Sequence, residues 1–224
     1  MTDLPDTQDA GRADHVIGVG PHPQPWPTDP IFDPDLLAEG DRRNVLDRYR
    51  YWTTEAIIAD LDTRRNPFHV AIENWQHDFN IGTIVRTANA FLAAEVHIIG
   101  KRRWNRRGAM VTDRYQHVRH HPTIADFADF AAANALPIVG IDILPGSIPL
   151  ETTPLPEAVV LLFGQEGPGL SKEAVEASEK VCSIAQFGST RSINAGVAGG
   201  IAMHAWIRQH VFDSGTTPRG GPTG

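Results

Sequence analysis

Short apolar runs alternate with helix-like segments from residue 68 onward, and this alternation restricts the fold more than any other feature. The runs typical of buried strands are residues 68–73, 95–100, 136–142, 158–164 and 181–185. The spacing of apolar residues predicts helices over residues 77–93, 125–135, 170–180 and 193–211. Strands that alternate with helices are typical of an α/β fold, so we expect a mostly parallel sheet with helices on both faces.

Composition divides the chain into four segments. Residues 1–40 are acidic and hold seven of the 17 prolines, so we expect them to be extended or disordered. Residues 41–66 have apolar residues near helical spacing and predict a helical extension. Residues 67–213 contain the alternating pattern and predict the α/β domain, and residues 214–224 predict a flexible tail.

The net charge of −7 comes from the first segment. Residues 1–40 contain eight acids and one base, whereas the rest of the chain contains 19 acids and 19 bases. The main domain can therefore carry local basic patches, and the overall acidity does not exclude a nucleic-acid partner.

Other features of the composition favour a cytoplasmic protein. No run approaches the roughly 20 apolar residues that a membrane-spanning helix needs, and the acidic N-terminus does not resemble a signal peptide. The single cysteine, Cys182, excludes an intramolecular disulfide and fits a reducing compartment. We expect Cys182 to be buried in a strand and unreactive.

Residues 74–91 form the first of three polar, glycine-containing segments that follow predicted strands, where open α/β sheets usually bind ligands. Asn80 stands at a predicted turn, and Arg86 stands in the helix that follows. The guanidinium of Arg86 suits a phosphate or carboxylate. The alternative is a structural ion pair between Arg86 and Asp78 or Glu166.

The other two segments cover residues 161–171 and 188–203. The second segment contains three glycines within six residues, which lets its backbone approach a ligand closely; a plain turn with Ser171 capping the next helix is the alternative. In the third segment, Ser192 and Asn194 could simply start a helix. The small residues that follow them favour close packing on backbone or on a ligand.

In this order and spacing, the three segments resemble the signature motifs of the SpoU (TrmH-like) branch of the SPOUT methyltransferases, over about residues 68–211. The matching residues are Asn80, Gly82 and Arg86 in the first motif, Phe163, Gly164, Glu166, Gly169 and Leu170 in the second, and Ser192, Ile193 and Asn194 in the third. The chain departs from the family at Ala185–Gln186, where Pro-Met is common, and at Gly196, where the family has serine.

The resemblance implies an S-adenosylmethionine (AdoMet)-dependent methyltransferase acting on a ribose 2′-hydroxyl of tRNA or rRNA. It also implies a deep trefoil knot near the C-terminus and a homodimer whose active site uses residues of both subunits. The implied catalytic residues are Arg86, Asn80, Glu166, Ser192 and Asn194. The implied donor-binding residues are Ile141, Gly164, Gly169, Ile184, Ser192 and Ile193.

Two alternatives to this function stay open. The chain could be a non-catalytic RNA-binding protein on the same fold, or an α/β enzyme with a nucleotide cofactor. The second alternative would need a phosphate-binding fingerprint, which the sequence lacks. No metal is expected, because His117, His120 and His121 lack cysteine or carboxylate partners at ligand spacing.

A dense basic stretch supplies the positive charge that RNA binding needs. Seven bases and one acid stand between Lys101 and Arg119, interleaved with Trp104 and Tyr115, which could stack on bases or ribose. The predicted RNA-binding residues are Arg102, Arg103, Arg106, Arg107 and Arg114. A solvated loop is the alternative. The arginines and aromatic residues of segment 41–66 form a second candidate, with a packing role as its alternative.

Overall fold

The computed structural model describes residues 18–75 and 80–212, which divide into two compact units with a boundary between Ile57 and Ile58. The predictions for residues 1–17, for Asp78 and for the tail 214–224 lie outside the described residues. No helix of the described ranges has both the length and the apolar composition needed to span a bilayer.

The first unit has more local structure than its proline content predicts. Within residues 18–40, which we expected to be extended or disordered, helix α1 spans Pro34–Glu39, and Asp33 caps it by accepting hydrogen bonds from two backbone N–H groups. The helix predicted to begin at Asp41 begins only at Thr54, since α2 spans Thr54–Asp62 and a single 3-10 turn, Asp47–Tyr49, precedes it.

The side chain of Asp41 explains why helix formation is delayed. Its buried carboxylate accepts hydrogen bonds from the Arg43 guanidinium at 2.9 and 2.7 Å and from the Tyr51 backbone N–H at 3.0 Å. These contacts close a loop between Asp41 and Tyr51, whereas a continuous helix would hold these two residues far apart. Burial raises the pKa of Asp41, but these hydrogen bonds outweigh it and leave the pKa below its ordinary value. Arg43 therefore has a packing role.

The strands of the second unit form one seven-stranded sheet within the described ranges. They are β1 His69–Asn74, β2 Val96–Gly100, β3 Val118–His121, β4 Ile138–Ile141, β5 Ile148–Pro149, β6 Val160–Phe163 and β7 Lys180–Ser183. Their order is β3-β2-β1-β6-β4-β7-β5, and all neighbouring pairs are parallel. The predicted parallel α/β sheet is confirmed. Strands β3 and β5 were not predicted because both are short edge strands with exposed residues.

The helices of the second unit cover both faces of the sheet, as predicted. They are α3 Asn80–Ala90, α4 Ile124–Ala133, α5 Lys172–Ala177 and α6 Ala195–Ile207, which continues as a π-helical turn, Arg208–Phe212. Alternate residues of β1 show the two layers: Val70 and Ile72 pack with α3 and α6, whereas Ala71 packs with α4 and α5. Cys182 is fully buried in β7, and burial raises the pKa of its thiol.

Candidate functional site

A cleft of about 340 Å³ lies at the carboxyl edge of the sheet, where β6, β4 and β7 end side by side. Ile141 and Phe163 are the last residues of β4 and β6, and both line the cleft. The structure places all six predicted donor-binding residues in its lining: Ile141, Gly164, Gly169, Ile184, Ser192 and Ile193. Of the predicted catalytic residues, Glu166, Ser192 and Asn194 also line it.

The glycine loop, residues 164–170, forms one wall of the cleft and depends on the absence of side chains. Backbone groups of Gln165 and Gly169 exchange two hydrogen bonds at 3.0 and 3.1 Å, so the loop folds back on itself. A Cβ at Gly164 would overlap the carbonyl group of Gly169. Gly169 has a φ of +75°, and a Cβ there would overlap the carboxylate of Asp142. Only glycine fits these two positions.

Asp142 locks the glycine loop against the end of β4. Its carboxylate accepts a hydrogen bond from the Leu170 N–H at 2.8 Å and another from the Ile143 N–H at 2.7 Å. The motif comparison did not single out Asp142. Its signal in the sequence is an acid directly after an apolar strand, at the edge where parallel sheets bind ligands.

A chain of side-chain hydrogen bonds joins the three motifs. The amide of Asn194 donates to the amide oxygen of Asn80 at 2.8 Å, and the amide of Asn80 donates to the carboxylate of Glu166 at 2.6 Å. The Asn194 oxygen also accepts from the backbone N–H groups of Gly196 and Val197, and thereby caps α6. Asn194 therefore starts helix α6, as its structural alternative predicted, and also links the third motif to the first. Ser171 also caps its helix, α5.

Two predicted catalytic residues, Asn80 and Arg86, do not line the cleft; Asn80 is hydrogen-bonded to two residues that do, whereas Arg86 has no such link among the described residues. It is exposed on α3, and it is not among the residues that line the cleft. Glu166 forms no ion pair with it, and across the described ranges the Arg86 side chain has no ionic partner.

Two glutamine oxygens in the cleft lack a hydrogen-bond partner among the described residues. Gln165 Oε1 and Gln186 Oε1 are both buried, and both residues line the cleft. Unpaired buried acceptors cost free energy, so they point to a ligand with hydrogen-bond donors. Gln186 stands at one of the two departures from the family pattern, which is why sequence comparison did not predict its place in the cleft.

The basic loop, residues 101–114, lies at the same carboxyl edge, after β2. Its five predicted RNA-binding arginines are all exposed: Arg102, Arg103, Arg106, Arg107 and Arg114. Trp104 is half-buried, with the Arg106 guanidinium 5.4 Å from its ring centre. Tyr115, which follows the loop, is buried, so the expectation that it could stack on RNA is wrong.

Close contacts fix the basic loop to the rest of the domain. The Asn74 amide donates hydrogen bonds to the Lys101 carbonyl at 2.6 Å and to the Arg103 carbonyl at 2.9 Å. A Cβ at Gly82 would lie 2.7 Å from the backbone nitrogen of Ala109, so the first turn of α3 packs directly on the loop. The loop and the Asn80 end of α3 are therefore held as one structure.

Comparison with known proteins relates this arrangement to RNA methyltransferases. The model of the SpoU rRNA methylase family matches residues 67–204. The tRNA (guanosine(18)-2′-O)-methyltransferase of Escherichia coli K12 is 25% identical over 161 residues, which are 70% of each chain. An uncharacterized tRNA/rRNA methyltransferase of Mycolicibacterium smegmatis is 33% identical over 173 residues, which are 72% of this chain and 53% of that protein.

Solved structures show the same likeness. An AdoMet-bound rRNA methyltransferase from Sinorhizobium meliloti is 26% identical, with a TM-score of 0.60 over 67% of this chain and 60% of its own. A TrmH/SpoU tRNA modifying enzyme from A. aeolicus shares the fold, with a TM-score of 0.62, 22% identity, and 70% and 81% of the two chains covered. Because the family model covers more than half of the sequence, this chain belongs to the SpoU rRNA methylase family.

Proposed function

We propose that the protein is an AdoMet-dependent RNA methyltransferase that methylates a ribose 2′-hydroxyl of tRNA or rRNA. The observation that carries the proposal is the cleft, which residues of the second and third motifs line, and in which Glu166 and Asn194 are hydrogen-bonded to Asn80 of the first motif. The name of one relative, a tRNA 2′-O-methyltransferase, supports the ribose 2′-hydroxyl as the target, and that of another, an AdoMet-bound rRNA methyltransferase, supports AdoMet as the donor.

The lining of the cleft fits AdoMet. Its volume of about 340 Å³ lies within the range of small-ligand sites. Ile141 and Ile184 supply apolar surface, while the glycine loop presents backbone groups without obstructing side chains. The buried Gln186 oxygen can accept a hydrogen bond from an amine or hydroxyl of the ligand. When bound, AdoMet supplies a methyl group on a positively charged sulfur.

The protein's main contribution to this reaction is alignment. Holding the ribose 2′-hydroxyl beside the bound donor would convert an encounter of separate molecules into one step, and such alignment provides large effective molarities. The hydrogen bonds that link Asn194, Asn80 and Glu166 fix these side chains at the cleft before the substrate arrives. They therefore reduce the reorganisation needed when RNA binds.

We assign Arg86 to transition-state stabilisation. An arginine guanidinium stays protonated in proteins, so it is a poor base for the 2′-hydroxyl. Its fork of donors instead suits the neighbouring phosphate or the oxygen that gains negative charge during attack.

The proposal includes a homodimer, in which Arg86 serves the cleft of the second subunit. Arg86 is exposed and absent from the cleft of its own chain. One turn before it, Thr83 contacts α6, and there Val197 and Ile201 expose 53% and 40% of their surface. An apolar helix face of this kind suits a second copy of the chain. Ile201→Arg should convert the dimer to a monomer in sedimentation equilibrium; a monomeric wild-type protein would contradict this part.

The basic loop is the proposed RNA contact. A second cavity of about 310 Å³ lies beside it, lined in part by Arg102, Trp104, Arg106 and Arg114. Arg102 and Arg114 have no ion-pair partner within the described ranges, so their charge is available to phosphates. The half-buried Trp104 ring can stack on a base.

A C-terminal trefoil knot and a cytoplasmic location complete the proposal. The resemblance to the family implies the knot. A tRNA or rRNA substrate and the single buried cysteine favour the cytoplasm.

Methyl transfer from labelled AdoMet to total tRNA and rRNA tests the activity. We expect label in RNA and, after digestion to nucleosides, its recovery as 2′-O-methylnucleosides. Label confined to bases would contradict ribose methylation. RNA binding without AdoMet binding would indicate the non-catalytic alternative.

A further inference from the structure

Three histidines on neighbouring strands form a cluster, His69–His97–His121, that the proposed reaction does not use. His69 Nδ1 lies 3.0 Å from His97 Nε2, and His97 Nδ1 lies 3.0 Å from His121 Nε2. His69 begins β1 and His97 is the second residue of β2, so these two residues lie near the amino ends of their strands, whereas the cleft lies at the carboxyl ends. The strand register brings the three rings together, and Phe130 of α4 packs against the rings of His97 and His121.

Burial disfavours the charged form of these imidazoles. Burial lowers the pKa of His97 to about 2, assisted by the neighbouring His69, His121 and Arg119. Burial also lowers the pKa of His69 and of His121.

We propose that His69, His97 and Glu95 bind a divalent transition-metal ion such as Zn²⁺, with water as the fourth ligand. One ligand atom from each of these residues lies within 4.8 Å of the others. Tetrahedral nitrogen ligands at about 2.0–2.1 Å from zinc stand roughly 3.3–3.4 Å apart. The two imidazole nitrogens, at 3.0 Å, reach that spacing with a shift of a few tenths of an ångström.

The neighbours of these three residues support a metal site. His121 Nε2 holds His97 Nδ1, which orients the ring and leaves His97 Nε2 directed at His69; hydrogen bonds of this kind commonly orient metal-bound histidines. Arg119 Nε donates to one oxygen of Glu95 at 3.0 Å, and a carboxylate retains a second oxygen for the ion. The positive charge of Arg119 opposes a cation, but its side chain is half-exposed and therefore screened.

Access to the site is open from one side. His97 is fully buried, whereas His69 and Glu95 are only partly buried. An ion can therefore reach the two outer ligands first. Without a metal, the alternative is a chain of neutral imidazoles that donate hydrogen bonds to one another.

Calorimetric titration of Zn²⁺ into the metal-stripped, full-length protein at neutral pH distinguishes these possibilities. We expect one tight equivalent per chain, and Co²⁺ in its place should give the visible absorption of a tetrahedral site. Glu95→Gln and His69→Gln should each weaken Zn²⁺ binding at least about 10-fold, comparable with the losses seen when groups around metal sites are removed. His117→Gln is the matched control, because this exposed histidine bonds to Asp62 outside the cluster.

Absence of Zn²⁺ binding by the wild-type protein would overturn the proposal. So would wild-type affinity in Glu95→Gln together with a loss in His117→Gln, which would indicate adventitious surface binding. Unfolding in EDTA confirms that each variant is folded, and if His69→Gln fails this check, Glu95→Gln decides. None of these readouts uses AdoMet or RNA, so they leave the proposed methyl transfer untouched.

Discussion

The glycine loop and the basic loop lie at the same edge of one sheet but are built on opposite principles. In the glycine loop, residues 164–170, backbone packs against backbone, and Gly164 and Gly169 have no room for a side chain. In the basic loop, residues 101–114, five arginines project into solvent from an anchored backbone. In the proposed function the first loop recognises the donor by shape and the second binds RNA by charge, so changes to each should produce distinct kinds of failure.

The largest expected effect comes from adding one methyl group to the glycine loop. Gly164→Ala must displace the Gly169 backbone, so we expect a loss of about 3 kcal/mol in stability and at least about 100-fold weaker AdoMet binding. Denaturant unfolding and calorimetry measure the two effects. Gly188→Ala is the matched control, since a Cβ there meets no atom within 4 Å. Equal AdoMet affinity in both variants would contradict recognition by shape in this loop.

Arg86→Ala tests whether catalysis can be separated from both loops. Removing a donor that stabilises developing charge should slow single-turnover methyl transfer roughly 10²–10³-fold at saturating RNA. AdoMet affinity should not change, because we assign Arg86 to the RNA phosphate or the attacking oxygen and not to the donor. Lys172→Ala, an exposed cation at the start of α5, should retain the wild-type rate. A full rate in Arg86→Ala would remove this residue from the mechanism.

Reversing the charge of the basic loop should affect RNA and spare the donor. The combined change of Arg102, Arg103, Arg106 and Arg107 to glutamate should weaken RNA binding and flatten its dependence on salt. Each arginine–phosphate interaction that the change removes should reduce the logarithmic salt slope by about 0.7–0.9. Filter binding at several salt concentrations measures the slope, with AdoMet calorimetry as the internal control. An unchanged slope would show that charge is not what this loop contributes.

The smallest predicted effect concerns pH and lies outside both loops. The folded chain keeps His97 neutral with a pKa of about 2, whereas the unfolded chain binds a proton below about pH 6.5. The neutral His97 therefore contributes fully to the free energy of unfolding above pH 6.5. This contribution is lost as the pH falls toward 2, by up to about 1.4 kcal/mol per pH unit. Urea unfolding in EDTA at pH 7, 6 and 5 should show the free energy of unfolding decrease with falling pH. This decrease should be smaller in His97→Gln than in the wild-type protein. Equal slopes would contradict the assignment.

The sequence predicted most of the sheet because local patterns dominate there. The apolar runs of β1, β2, β4, β6 and β7 need no knowledge of their neighbours to be recognised. Edge strand β3 was not predicted, because its Val-Arg-His-His sequence is polar and half-exposed. The late start of α2 was not predicted either. The Asp41 carboxylate accepts a hydrogen bond from Tyr51, ten residues away, and this contact prevents the helix predicted to begin at Asp41.

The candidate site divides in the same way. Motif spacing identified Gly164, Glu166 and Asn194, which do meet in the cleft. Asp142 and Gln186 were missed, because only the folded sheet brings them beside those motifs. The pairing of His69 with His97 was missed as well, since it depends on strand register across 28 residues of sequence.

Calorimetric titration of AdoMet into the wild-type protein, with ATP and NAD titrated in parallel, tests the central claim most directly. We expect one AdoMet bound per chain, competition by the demethylated product, and no measurable binding of ATP or NAD. No binding of AdoMet, or equal binding of the nucleotides, would contradict a cleft built for a methyl donor.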